Sequence, residues 1–190
     1  DGLHWNRSHD LMHAHMHEKA HRKRSINYTV FLEPSNNPWL ILLDLPADAP
    51  DESRLTRDFQ VITNHPISNT KRYEARSFTS FEPLALDPMQ LELGLQLPNN
   101  VTPRMRALVN EWSKGDISPH QIVQRALSHF NREPFVYTLR PPLLGNNPTD
   151  EFLFETRRGF CEHFSTSFTL MMRLAGIPSR LVTGYLGGEF

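Results

Sequence analysis

The chain has 190 residues, of which 38% are hydrophobic and 22% charged, and its formal net charge is −1. That length accommodates one domain or two small ones, and the near-neutral balance supplies no global basic field for nucleic acid or anionic lipid. A single cysteine excludes an internal disulfide, and no run approaches the roughly 18 apolar residues of a membrane span.

Residues 1–25 are polar and rich in histidine; six of the ten histidines fall within the first 21 positions. His17-Glu18-Lys19-Ala20-His21 matches the H-E-x-x-H zinc pattern, in which two His one helical turn apart hold the metal and the Glu acts as base. The match is weak. The histidine density makes chance matches common, Lys19 places a charge inside the motif, and no apolar stripe exists to bury such a helix. No catalytic zinc is therefore expected, and casual metal capture by His13, His15, His17 and His21 is the milder alternative. Lys19 to Arg24 carries a few positive charges without interleaved aromatics and reads as a solvated loop.

Four strand-like runs follow. Ile26, Tyr28, Val30 and Leu32 alternate with polar residues, so they share one face. Trp39 to Leu45 is an apolar run bounded by Pro38 and Pro46. Residues 54–63 and 71–81 supply two more candidates, the second with Tyr73, Ala75, Phe78 and Phe81. Short strands separated by Pro, Asn and Asp clusters point to a β-sandwich-like domain over residues 1–95.

Composition then shifts, with a Pro- and Asn-containing linker expected over 84–101. Thr102-Pro103 reads as an N-cap followed by Pro at the first helical position, with Met105, Leu108, Val109 and Trp112 at helical spacing and Gly115 as the stop. Ser118-Pro119 repeats the signal, and Ile122, Val123, Ala126, Leu127 and Phe130 form its apolar stripe. Phe135 to Leu139 predicts a short strand, and residues 140–150 a loop. After Gly159, the residues Cys161, Phe164, Phe168, Met171 and Ala175 recur at spacings of three and four, which predicts a helix with these on one face. Gly176 and Pro178 end it. Arg180 to Tyr185 reads as a strand and Gly187-Gly188 as a turn. The sequence opens on Asp with no signal-peptide pattern and stops just after a strand-like run, so it reads as a segment of a longer protein.

Cys161 carries the sharpest chemical signal. A helix N-terminus has free N–H groups and partial positive charge, which favour a thiolate and can hydrogen-bond a developing oxyanion. Periodicity alone leaves open the alternative that Cys161 is a small core residue beside Phe164 and Phe168. His163, a nearby candidate base, lies about 200° around the helix from Cys161 and points away from it. His163 and Glu162 read as structural residues beside the site, and His120 and His129 fall on other helices. Ser165, Thr166 and Ser167 are mid-helix and lack the G-x-S-x-G elbow of a serine nucleophile.

Arg158 to Phe168 (RGFCEHFSTSF) and Met172 to Glu189 (MRLAGIPSRLVTGYLGGE) together resemble the transglutaminase-like superfamily. In particular they resemble the TgpA type, bacterial inner-membrane proteins with a periplasmic transglutaminase-like domain. Tyr137 to Gly145 (YTLRPPLLG) and Asp150 to Phe154 (DEFLF) fit the stretch ahead of the family's cysteine. Looser likeness extends through Leu32-Glu33-Pro34, Trp39-Leu40, Leu43 to Pro46 and Asp1 to Trp5. The resemblance implies an α+β architecture: a β-sandwich-like N-terminal domain followed by the front half of a papain-like core over residues 96–190. It implies a Cys-His-Asp triad with Cys161 as nucleophile, and places the His and Asp on strands after the Gly187-Gly188 turn, beyond Phe190. The segment is thus expected to be inactive alone. The implied reaction is acyl transfer from a glutamine carboxamide of a protein or peptide to an amine. No cofactor, metal or nucleic acid is expected, and membrane anchoring comes through segments outside residues 1–190. A non-catalytic scaffold or binding module, and an amide or peptide hydrolase, are the alternatives on the same fold.

Overall fold

The computed structural model describes residues 24–56, 59–80 and 88–184. The His-rich segment, with its H-E-x-x-H match, lies outside the described residues. Two compact units are formed, one containing the described residues up to 80 and the other residues 88–182.

In the first unit, β1 (Ser25–Leu32) pairs antiparallel with β5 (Lys71–Phe78), from Ser25 opposite Phe78 to Leu32 opposite Lys71. A second antiparallel sheet has the order β2 (Trp39–Leu40), β4 (Val61–Thr63), β3 (Ser53–Leu55). Leu32, Tyr73 and Ala75 from the first sheet and Leu40, Leu55 and Val61 from the second share one core with Ile67, which is the sandwich-like arrangement the alternation predicts. The single strand expected over 54–63 is instead two, β3 and β4. The chain turns between them at Phe59 with φ of 60°, where the Thr56 N–H donates to the Gln60 carbonyl at 2.8 Å.

The apolar run Trp39–Leu45 also pairs for only two residues, because its later amides are taken by tyrosines. The Ile41 N–H donates to the Tyr73 hydroxyl at 3.0 Å, and that hydroxyl donates to the Ile41 carbonyl at 2.6 Å. The Leu43 N–H donates to Tyr28 at 2.9 Å, while Ser77 donates to the Leu43 carbonyl at 3.1 Å. Burial pushes the Tyr73 phenol up to about 12. Tyr73→Phe leaves the Ile41 N–H and C=O without their partner, so an expected loss of about 1–3 kcal/mol follows, read as a lowered urea midpoint at unchanged slope.

The second unit is mostly helical: α1 (Pro88–Leu95), α2 (Pro103–Trp112), α3 (Pro119–Arg132), α4 (Pro148–Glu151) and α5 (Cys161–Leu174). The α4 helix runs into a wider π-helical turn, Phe152–Thr156, and two short strands, β6 (Val136–Tyr137) and β7 (Arg158–Gly159), pair in parallel. The expected caps form. Thr102 accepts from the Met105 N–H at 3.3 Å, and Ser118 and Gln121 make a reciprocal capping box. The core joins Met105, Val109 and Trp112 of α2 with Ile122 and Ala126 of α3, Phe152 and Leu153 of the π-turn, and Leu170, Met171 and Met172 of α5.

Three expectations are corrected. The linker read over 84–101 contains α1, whose Gly94 lies against Pro178 and accepts from the Ser179 N–H at 2.9 Å. The loop read over 140–150 ends in α4. The strand read over Arg180–Tyr185 is not formed among its described residues, which end at Gly184. The Ser179 amide is held by α1 and the Ser179 hydroxyl donates to the Thr169 carbonyl at 2.8 Å, so the chain leaves α5 tied to helices rather than to a sheet.

Candidate active site

Cys161 is the first residue of α5, and its side chain is exposed. The spacing that puts it in line with Phe164 and Phe168 holds for direction but not for burial. Phe164 and Phe168 are partly buried against the core and Met171 fully so, while Cys161 and Glu162 at the start of the helix are exposed. The alternative of a buried core cysteine is thus corrected. The first intrahelical bond runs from the His163 N–H to the Phe160 carbonyl at 3.0 Å, with Phe164 N–H to the same carbonyl at 3.3 Å. The Cys161 and Glu162 N–H groups precede it and have no helical acceptor within reach.

What precedes the helix determines where the thiol sits. The Val136 N–H donates to the Arg157 carbonyl and the Thr138 N–H to the Gly159 carbonyl, both at 2.8 Å, so β6 grips β7 on either side of Arg158. Arg157 adopts the left-handed conformation at φ 49° and closes the π-turn, its N–H bonding the Phe152 carbonyl at 3.0 Å. Its guanidinium donates to Glu133 at 2.8 Å and lies 5.8 Å from the Phe135 ring. Upstream, the buried Asp150 accepts from Thr102 at 2.5 Å and from Arg104, whose guanidinium also reaches Glu155 at 2.8 Å and lies 5.0 Å from the Phe154 ring. The hydrogen bonds that Arg104 donates to Asp150 and Glu155 raise its pKa above the ordinary value. These contacts lock the α4–π-turn segment to α2, and through β7 they fix the start of α5.

A bed of aromatic rings carries the helix. Phe164 meets Phe152 at 5.0 Å, Phe130 and Phe135 each at 5.9 Å, and stacks on the exposed Tyr137 at 6.2 Å. His163 does not face the thiol's side as a free base. Its Nδ1 accepts from the Phe160 N–H at 3.4 Å, and its ring rests 4.6 Å from Phe160 and 5.5 Å from Phe152. Gly159 is needed because its neighbours leave no room for a side chain. A Cβ there would lie 2.6 Å from His163 Cγ and 3.0 Å from the Phe152 ring.

His129 sits behind this bed, 5.3 Å from Trp112 and 5.7 Å from Phe135, with its Nε2 buried and lacking a hydrogen-bond partner. Burial holds its pKa below the ordinary value, opposed by nearby Glu133 and reinforced by Arg157. A depressed folded-state pKa means the unfolded chain takes up the proton first, so this contribution is intact above about pH 6.5 and is lost as pH falls below it. The melting temperature should drop between pH 7.5 and 5.5, and His129→Phe should flatten that slope.

Among the described residues no group of three or more His, Cys, Asp or Glu is placed to hold a metal. The residues that sequence reasoning missed here are Phe152, Phe160, Arg157 and the capping role of His163. Only the last had a signal, the N3 position three residues after the cap.

Comparison with known proteins accounts for both units. Residues 1–82 match the TgpA N-terminal domain and residues 106–190 the transglutaminase-like superfamily core. The chain is 36% identical, over its whole length, to a protein-glutamine gamma-glutamyltransferase of Pseudomonas aeruginosa, of which it covers 26%. It is 31% identical over half its length to an uncharacterized Bacillus subtilis protein, YebA, of which it covers 13%. The crystal structure of the periplasmic domain of TgpA from Pseudomonas aeruginosa superposes with a TM-score of 0.82 at 38% identity, covering 89% of this chain and 59% of that one. The chain therefore spans about a quarter of the length of its Pseudomonas relative, and it belongs to the transglutaminase-like superfamily, as a member of the TgpA type.

Proposed function

We propose that Cys161 is the nucleophile of a protein-glutamine acyl transfer and that this segment is the front part of a periplasmic transglutaminase-like domain of a bacterial inner-membrane protein. The observation that carries the reading is the exposed thiol at the first turn of α5, within the part that matches the transglutaminase-like core. The Cys161 thiolate attacks the carboxamide carbon of a glutamine side chain. The oxyanion faces the Cys161 and Glu162 N–H groups, ammonia leaves with a proton supplied by the partner acid, and a thioester remains. An amine then attacks the thioester carbonyl, passes its proton to the partner residue that had protonated ammonia, and releases the thiolate.

The partner His and Asp belong on strands that follow Phe190. Neither His163 nor His129 supports a substitute: His163 Nδ1 is engaged by Phe160, and His129 is wedged among Trp112, Phe130 and Phe135. Residues 1–190 alone should thus show little or no turnover. The test is incorporation of a labelled primary amine into a glutamine-bearing peptide, with residues 1–190 alone and with the following strands present. Transfer only in the longer form supports the proposal. Release of ammonia without amine incorporation at saturating amine assigns a hydrolase, and no reaction in either form assigns a binding module.

A further inference from the structure

Helix α5 begins with a capping box of which only one half exists. In a full box the N-cap side chain accepts from the N3 N–H, and the N3 side chain accepts from the N-cap N–H. Here the N-cap is Phe160, which has no side-chain acceptor, while His163 at N3 retains the return bond to the Phe160 N–H. The two halves have different consequences at a helix that starts with a nucleophile. A Ser, Thr or Asp at 160 would place an oxygen against the first-turn N–H groups, where a substrate oxyanion has to sit. Phe160 leaves them open. The return bond costs the site nothing, because the Phe160 N–H lies one residue before the thiol.

The His163 ring is also held on several sides. It rests on Gly159, which has no Cβ to displace it, and lies 4.6 Å from the Phe160 ring and 5.5 Å from the buried Phe152 ring. From this half-box we infer that His163 is a positioning residue. It fixes the Gly159–Phe160 peptide, and with it the entry of the chain into the first turn, so that the open N–H groups of Cys161 and Glu162 converge on the oxygen of the acyl group under attack. This rests on the reading of Cys161 as nucleophile.

The experiment separates oxyanion formation from thiol reactivity. A p-nitrophenyl ester acylates the thiolate: the S–C bond forms, the C–O bond breaks and p-nitrophenolate departs with its electron pair, through a tetrahedral oxyanion. Iodoacetamide alkylates the same thiolate with loss of iodide and forms no oxyanion. Both reactions are stoichiometric, so residues 1–190 suffice. At fixed pH, His163→Leu, which keeps apolar volume on Phe152 but cannot accept, should slow ester acylation by about 10-fold or more and change alkylation less than about 3-fold. His163→Gln restores the acceptor used in ordinary capping boxes and should recover most of the acylation rate. Equal slowing of both reactions by His163→Leu would overturn the proposal, making His163 a determinant of the thiol itself. Unchanged acylation in His163→Leu, or no recovery in His163→Gln, would overturn it as well. If His163→Leu does not fold, His163→Gln decides, since near-normal acylation supports the acceptor role and a collapse of acylation with intact alkylation refutes it. Absence of any ester burst in the unsubstituted chain, with Cys161 still alkylated, defeats the nucleophile reading and this proposal with it.

Discussion

Cys161→Ser should abolish amine incorporation while leaving the fold intact. A hydroxyl replaces a thiol of nearly the same shape at an exposed position, so stability should change by less than about 0.5 kcal/mol. The chemistry changes far more. A serine hydroxyl stays protonated at a site arranged to hold a thiolate, and a neutral hydroxyl does not attack a carboxamide at a useful rate. In a well-studied serine triad, loss of the nucleophile costs about 10⁶ in kcat, and a drop of at least about 10³-fold is expected here, in the longer form that carries the following strands. A melting curve and an amine-incorporation assay on one preparation give both readouts. Turnover within about tenfold of the unsubstituted protein would remove Cys161 from the reaction.

Much of the second unit was legible because its signals are local. Thr102-Pro103 and Ser118-Pro119 each combine a side-chain cap with a proline whose missing N–H is not needed at that position, and both helices start there. The alternation in β1 was equally plain, and the structure sets Tyr28, Val30 and Leu32 opposite Ala75, Tyr73 and Lys71 of β5. What escaped was set by contacts far along the chain. Helix α1 buries little of its own apolar surface; among its residues Gly94 is the buried one, covered by Pro178 from beyond α5. No hydrophobic stripe announces such a helix. The segment Pro148–Thr156 reads as a loop that runs into apolar residues, and only the pairing of Asp150 with Arg104 and Thr102 shows why it coils.

The site itself was half legible. The family motif singled out Cys161 and the periodicity supplied its helix, yet spacing alone could not tell an exposed thiol from a core one. Depth depends on where the aromatic bed of Phe130, Phe135 and Phe152 ends, and those rings come from three other segments. In the first unit the same limit applied to Trp39–Leu45. Its continuous apolar character announces a strand, and hydroxyls from β1 and β5 take the amides that a neighbouring strand would have used.

Gly159→Ala is expected to be the most damaging single methyl group in this region. A Cβ at 159 would stand 2.6 Å from Cγ and 2.7 Å from Cβ of His163, and 3.0 Å from a Phe152 ring carbon. Rotation about the His163 side chain cannot relieve the second contact, because His163 Cβ is fixed to the backbone of α5. The Phe152 ring cannot retreat easily either, since it is 1% exposed and packed on Phe135 and Phe164. Relief has to come from sliding the first turn of α5 outward or from breaking the Thr138 N–H bond to the Gly159 carbonyl. Overpacking of this kind costs about 1–3 kcal/mol. Because the displaced turn carries the thiol, a shift near 1 Å should also cost on the order of 10²-fold in acyl transfer. Gly184→Ala is the control, as a Cβ at Gly184 meets nothing within 4 Å. Urea unfolding should show a lowered midpoint for Gly159→Ala and none for Gly184→Ala. The rate of p-nitrophenyl ester acylation should fall in the first alone. Stability within about 0.5 kcal/mol of the parent together with an unchanged acylation rate would mean that the His163–Gly159 contact does not set the position of the thiol.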